Sequence, residues 1–129
     1  CTMFKLDLQL KVIVNLEPGI YIIDSVSAIG KTYLCNFLKE CNMAGYQVMG
    51  YTYSDYKLGL PIENILVPGK YKVVLLDRYD MYFDAGKELL PKCAKDTIIL
   101  IDYKGRRLVA EEEDWCTIER TQDTIEVCQ

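Results

Sequence analysis

The run Phe4-Lys5-Leu6-Asp7-Leu8-Gln9-Leu10-Lys11-Val12 alternates apolar and polar residues without a fault. Successive strand side chains point to opposite faces, so this pattern predicts a half-buried strand with one wet face. Val12-Ile13-Val14 breaks the alternation and marks either the strand end or a second paired segment. Pro18-Gly19 is turn punctuation. Ile20 to Ile23 is short, apolar and partly β-branched, which predicts a strand covered on both faces. The period then changes. Leu34, Phe37, Leu38 and Cys41 recur at i, i+3, i+4 and i+7, the apolar stripe of an amphipathic helix. Lys39 and Glu40 fall on its wet side, and Gly45 is a stop signal.

Tyr46-Gln47-Val48-Met49-Gly50-Tyr51 predicts the next strand, running on through Thr52 into a loop with tyrosines at 51, 53 and 56. Those tyrosines suit either a contact surface or half-buried strand positions. Lys57 to Lys70 carries Gly59, Pro61, Pro68 and Gly69 and is expected to be irregular, with a short edge element near Ile62 to Val67. Tyr71-Lys72-Val73-Val74-Leu75-Leu76-Asp77 and Thr97-Ile98-Ile99-Leu100-Ile101-Asp102 predict buried strands, each ending in a carboxylate. A helix is expected between Met81 and Leu90, ahead of Pro91. Trp115 to Arg120 and Thr124 to Cys128 alternate across a short polar link, which predicts a hairpin. Buried strands interleaved with helical segments make an α/β fold. The expected architecture is one domain with a mixed sheet of about six or seven strands. Its central strands are parallel, with an antiparallel N-terminal strand, a C-terminal hairpin and few helices.

Between the first buried strand and the helix lies Ser25-Val26-Ser27-Ala28-Ile29-Gly30-Lys31-Thr32. It fits the phosphate-loop pattern G-x-x-x-x-G-K-[ST], with Ser25 where the first glycine belongs. The chemistry suits an anion. Backbone N–H groups at a helix N-terminus face the phosphate, a lysine adds a full charge, and a hydroxyl reaches a metal. Ligands of open α/β sheets bind at the carboxyl ends of the strands, where this loop, Asp77 and Asp102 are expected to meet. In this arrangement Ser25 to Thr32 would hold phosphate, with Lys31 on the β- and γ-phosphates. Thr32 and Asp77 would hold Mg²⁺. Asp102 is expected to be an ordinary strand-end residue.

With these two motifs the chain resembles the P-loop NTPase superfamily over Phe4 to Asp102. Ser25 to Thr32 looks like a degenerate Walker A, and Val73-Val74-Leu75-Leu76-Asp77 looks like Walker B. The antiparallel segment ahead of the loop strand is similar to ATP-binding-cassette and related ATPase cores. The resemblance implies Mg-ATP as the ligand. Those enzymes place a catalytic Glu directly after the Walker B Asp, whereas this chain has Arg78, which cannot accept a proton from water. Asp77-Arg78-Tyr79 is also similar to the Asp-Arg-Tyr motif of thymidylate kinases. That likeness implies a phosphate contact for Arg78 and a basic lid at Gly105-Arg106-Arg107.

Composition narrows the field. The 129 residues carry a net charge of −4, which argues against a protein that coats nucleic acid. No apolar run approaches the ~20 residues of a membrane span, and the start lacks the layout of a signal peptide. There is no histidine, so Ser-His and Cys-His nucleophilic machinery is excluded. The six cysteines are scattered and suit small buried hydrophobes in a reducing, cytoplasmic setting. The expected function is a small P-loop-like protein with weak or vestigial nucleoside triphosphate binding. It would act on another protein as a regulatory or interaction module. One alternative is an active ATPase or nucleotide kinase, with Asp77, Asp80 or Asp55 as base. Another is a pure interaction or inhibitor protein, of the kind a phage or mobile element could use, with no nucleotide.

Overall fold

The alternating N-terminal run folds as a hairpin rather than one strand. Strand β1 (Phe4–Asp7) turns back through a bend at residues 8–10 into β2 (Lys11–Val14), with Phe4 opposite Val14 and Asp7 opposite Lys11. The period-2 pattern carries no mark of the bend, because Leu6, Leu10, Val12 and Val14 all still reach the core. Leu8, in the bend, is left exposed. The second paired segment suggested by Val12-Ile13-Val14 is β2. The structure, a computed structural model, describes residues 4–24, 28–104 and 114–129, and of residues 28–30 the backbone alone.

The remaining strands are β3 (Gly19–Ile23), β4 (Val48–Tyr51), β5 (Val73–Leu76), β6 (Ile98–Ile101), β7 (Asp114–Arg120) and β8 (Thr124–Cys128). All eight join one sheet in the order β1-β2-β8-β7-β3-β6-β5-β4. The run β7-β3-β6-β5-β4 is parallel throughout. The β7–β8 hairpin is antiparallel, and β8 pairs in parallel with β2. The expected mixed α/β sheet is therefore present, with eight strands among the described residues against about six or seven expected.

Strand parity divides the core in two. Tyr21, Ile23, Val73, Leu75, Ile98, Leu100 and Cys116 face helix α1 (Ala28–Met43). The helix buries Leu34, Cys35, Leu38 and Cys41, while Phe37 is only half-buried, so the stripe is rotated toward Cys35. Gly50 explains the rotation. A methyl group on Gly50 would overlap the Cys35 carbonyl oxygen, so α1 lies directly on the β4 backbone at this point. Gly45, at φ 99°, ends the helix as expected.

Ile20, Ile22, Val74, Leu76, Ile99 and Ile101 face the other way, under a layer of short turns. These are α2 (Tyr53–Lys57), a 3₁₀ turn (Ile62–Asn64), another (Tyr79–Met81), α3 (Phe83–Gly86) and α4 (Leu90–Cys93). The tyrosine loop is thus a capped helical turn. The edge element near Ile62 is a 3₁₀ turn, and Ile62, Ile65 and Leu66 are all buried by it. The helix expected over Met81 to Leu90 is two single turns, linked by a tight Leu89 N–H to Gly86 carbonyl bond of 2.9 Å. Pro91 lies inside the start of α4, where its missing N–H has no partner to lose. Cys35, Cys41, Cys93 and Cys116 are buried free thiols and Cys128 is half-buried.

Candidate functional site at the carboxyl ends of β3, β5 and β6

Register brings the two strand-end carboxylates together. Leu76 of β5 pairs with Ile101 of β6, so Asp77 and Asp102 emerge side by side one residue later. Asp77 continues the parity of Val73 and Leu75, and Asp102 that of Ile98 and Leu100. Both therefore emerge on the face that α1 covers. Lys31, in the first turns of α1, reaches across β6: its Nζ lies 2.7 Å from Asp102 Oδ1. The other Asp102 oxygen, Oδ2, accepts from the Arg78 backbone N–H at 3.3 Å. Asp102 also donates its N–H to the Leu76 carbonyl and accepts from Tyr79 N–H, each at 2.9 Å. It is one of two buried polar residues among those described, at 5% exposure. Far from being an ordinary strand end, Asp102 is the counter-ion of Lys31.

Asp77 has a different environment. Burial and the neighbouring Asp102 carboxyl push its pKa up to about 6, against the opposing pull of Arg78 and Lys31. Two carboxyl groups this close resist both being ionised. Its backbone is tied down from both sides. The Asp77 N–H donates to the Tyr51 carbonyl at 2.8 Å, and the Tyr82 hydroxyl donates to the Asp77 carbonyl at 2.7 Å. Tyr82 in turn meets Tyr51 edge-on at 5.3 Å and stacks with Tyr56 at 5.6 Å. Of the three tyrosines considered as a contact surface, Tyr51 is buried, Tyr53 half-buried and Tyr56 exposed.

Arg78 and the other candidate bases are already engaged. The Arg78 guanidinium grips Asp80 through Nε–Oδ1 at 3.2 Å and Nη2–Oδ2 at 3.0 Å. Lys104 N–H adds a third bond to Asp80 Oδ1. Burial pushes the Asp80 carboxyl up, but these donors outweigh it and hold it below the usual carboxylate range. Asp55 has a comparable balance. Burial raises it, while Lys39 at 2.8–2.9 Å and the Thr52 backbone and hydroxyl outweigh burial and hold it below the usual range. It closes the capping box of α2 with Thr52. A carboxylate with a depressed pKa is a weak base, so neither Asp55 nor Asp80 is suited to the part of general base considered for them.

Of the loop expected to hold phosphate, Ser25, Val26 and Ser27 lie outside the described residues, as do Gly105, Arg106, Arg107 and the side chains of Ala28 and Ile29. Thr32 is exposed in the first turns of α1. The donors considered for a metal, the Thr32 hydroxyl and the Asp77 carboxylate, are hard oxygens of the kind that suits Mg²⁺. Among the described residues no group of three or more His, Cys, Asp or Glu could hold a metal. Mg²⁺ commonly keeps several waters and takes further oxygens from substrate phosphates, so a sparse protein donor set is compatible with it. Asp102 and Tyr82 are the residues the sequence reasoning undervalued. The parity of Asp77 and Asp102, two strands ending at the same phase, was the available signal for the first. Tyr82 carried none beyond its spacing of three from Tyr79.

Among the described residues no helix is long and apolar enough to cross a membrane. No protein-family model, curated protein or solved structure matches this chain.

Proposed function

We propose that this protein binds a nucleoside triphosphate weakly, together with Mg²⁺, at the carboxyl ends of β3, β5 and β6. It serves another protein as a regulatory or interaction module rather than as a turnover enzyme. The observation that carries the reading is the cluster of Lys31, Asp102 and Asp77. A lysine at the start of a long helix, beside two adjacent carboxylates, offers a cation to phosphate and, at Asp77, a carboxylate to a metal. Bound Mg²⁺ would neutralise phosphate charge there, with Thr32 and Asp77 as its protein ligands. Weak binding follows from Ser25, whose side chain stands where a glycine would let backbone approach phosphate. Slow or absent turnover follows from Arg78, which occupies the position of a base and binds Asp80. The buried free thiols support a reducing, cytoplasmic setting as part of the same proposal.

Thermal melting with Mg-ATP and Mg-GTP tests it. At a ligand concentration of 100 times Kd the native state gains about 2.7 kcal/mol, and Lys31→Ala should abolish the gain. Hydrolysis faster than about 1 s⁻¹, lost in Lys31→Ala, would instead make the chain an ATPase or kinase. A second reading, a pure interaction protein without nucleotide, is favoured by one observation. Tyr56, Leu58, Leu60 and Met81 are exposed around α2 and the turn beyond Asp80, with Leu58 at 86% exposure. An absent thermal shift would favour it.

A further inference from the structure

We propose that Asp102 is the resident counter-anion of this site. It holds the Lys31 ammonium group until a phosphate ligand displaces it, and so sets the affinity for anions and their dependence on a divalent cation. The inference rests on the phosphate-site reading above and gives Asp102 a specific part in it, as the group that Lys31 must leave.

The local charges make the case. Lys31 Nζ is 2.7 Å from Asp102 Oδ1, and Asp102 is nearly fully buried. Arg78 is committed to Asp80 through both arms. Among the described residues Asp77 has no ion pair of its own and lies against Asp102. Each cation of the cluster is therefore matched, and the pairing is internal. A phosphate that takes Lys31 leaves Asp102 and Asp77 facing each other with no cation between them. Stranding a buried charge in this way is strongly unfavourable, more so than the loss of the pair itself. Asp77 and Asp102 would then both be open to a divalent cation bound with the phosphate, whose charge would offset the penalty. Metal and anion are thus coupled through Asp102, and by linkage each must raise the other's affinity by the same factor. Asp102 cannot simply swing away, since its backbone is fixed to Leu76 and Tyr79 and its second oxygen accepts from Arg78 N–H.

The test uses inorganic tripolyphosphate as the probe, titrated into the protein by calorimetry, once free of metal and once as its Mg²⁺ complex. Wild type should bind the metal-free probe at least about tenfold more weakly than the complex, within the usual range of coupling between sites. Asp102→Asn keeps an oxygen for the Arg78 N–H but removes the charge. It should bind metal-free tripolyphosphate at least about tenfold more tightly than wild type, and the gain from Mg²⁺ should shrink. Asp102→Glu, which keeps the charge, should retain weak metal-free binding. If wild type binds the Mg²⁺ complex and Asp102→Asn leaves metal-free binding unchanged, the counter-anion role is overturned while the phosphate site stands. If no form of the probe binds wild type, the phosphate site itself fails and takes this role with it. A readout on isotope-labelled wild type covers the case of a misfolded variant. The Lys31 side-chain resonance should move with Mg-tripolyphosphate and stay in place with Mg²⁺ alone; movement with Mg²⁺ alone, or none with the complex, overturns the proposal.

Discussion

Arg78 reaches forward to Asp80 from a left-handed backbone, at φ 52° and ψ 49°, the one non-glycine residue with positive φ among those described. Its side chain fork and its backbone therefore act in opposite directions on stability. The left-handed conformation costs a residue with a β-carbon about 1 kcal/mol. The ion pair is partly exposed and contributes about 1 kcal/mol at most. Arg78→Ala loses the fork and keeps the strain. Arg78→Gly loses the fork and relieves it, so it should be about 1 kcal/mol more stable than Arg78→Ala in urea unfolding. Equal stability of the two variants would contradict this account of the turn.

Asp77 predicts a pH dependence. Its folded-state pKa is raised to about 6, so folding favours the protonated acid. The favourable contribution is complete below the ordinary carboxylate range and is lost as pH rises through about 6. With the group half-exposed, the loss is about 1–2 kcal/mol, discounted for solvent screening. Asp77→Asn should therefore stabilise the protein by about 1 kcal/mol at pH 7.5 and flatten the change in Tm between pH 4 and 7.5, as read by calorimetry. A variant that is less stable than wild type at pH 7.5, with the slope intact, would remove Asp77 as the cause.

Gly50 sets how closely α1 can approach the sheet. Gly50→Ala places a methyl group against the Cys35 carbonyl and its thiol. Backbone cannot yield as a side-chain tip can, so the substitution should destabilise by about 3 kcal/mol or more in chemical denaturation. A change below about 0.5 kcal/mol, the size of an ordinary surface substitution, would show that α1 can lift without penalty.

The Tyr82 hydroxyl is the brace on the Asp77 backbone. Tyr82→Phe keeps the ring contacts with Tyr51 and Tyr56 and removes the bond to the Asp77 carbonyl. A loss of about 1–2 kcal/mol is expected, since a buried carbonyl is left without this donor. Hydrogen exchange at Asp77 N–H should rise with it, and unchanged protection would show that the strand end is held by other contacts.

Much of this arrangement was legible because buried parallel strands are long apolar runs whatever surrounds them. Val73 to Leu76 and Ile98 to Ile101 fall where the pattern put them, and so does the Gly45 helix stop. The hairpin at Leu8 to Leu10 was hidden, because a bend that returns Leu10 to the core leaves the alternation intact. The turns from Tyr79 to Cys93 were hidden for another reason. Single helical turns follow the shape of the sheet surface beneath them, and no local period records that surface. At the candidate site, residue types singled out Lys31 and Asp77, but the pairing of Lys31 with Asp102 depends on β6 lying between β3 and β5, an order that no local motif encodes.

The parallel pairing of β2 with β8 has a kinetic consequence. Lys11 aligns with Thr124 and Val14 with Val127, so the β1–β2 hairpin waits for β8, more than a hundred residues later, before this sheet edge is closed. Contacts of such long sequence separation form late, because the loop they close must lose its freedom first. On the ribosome, Val12 and Val14 would lack their β8 neighbours until Ile125 and Val127 are made. Folding of this protein should therefore be slow for its size. Its most aggregation-prone interval comes before Thr124 to Cys128 emerge, when β2 is a strand with one side unclaimed.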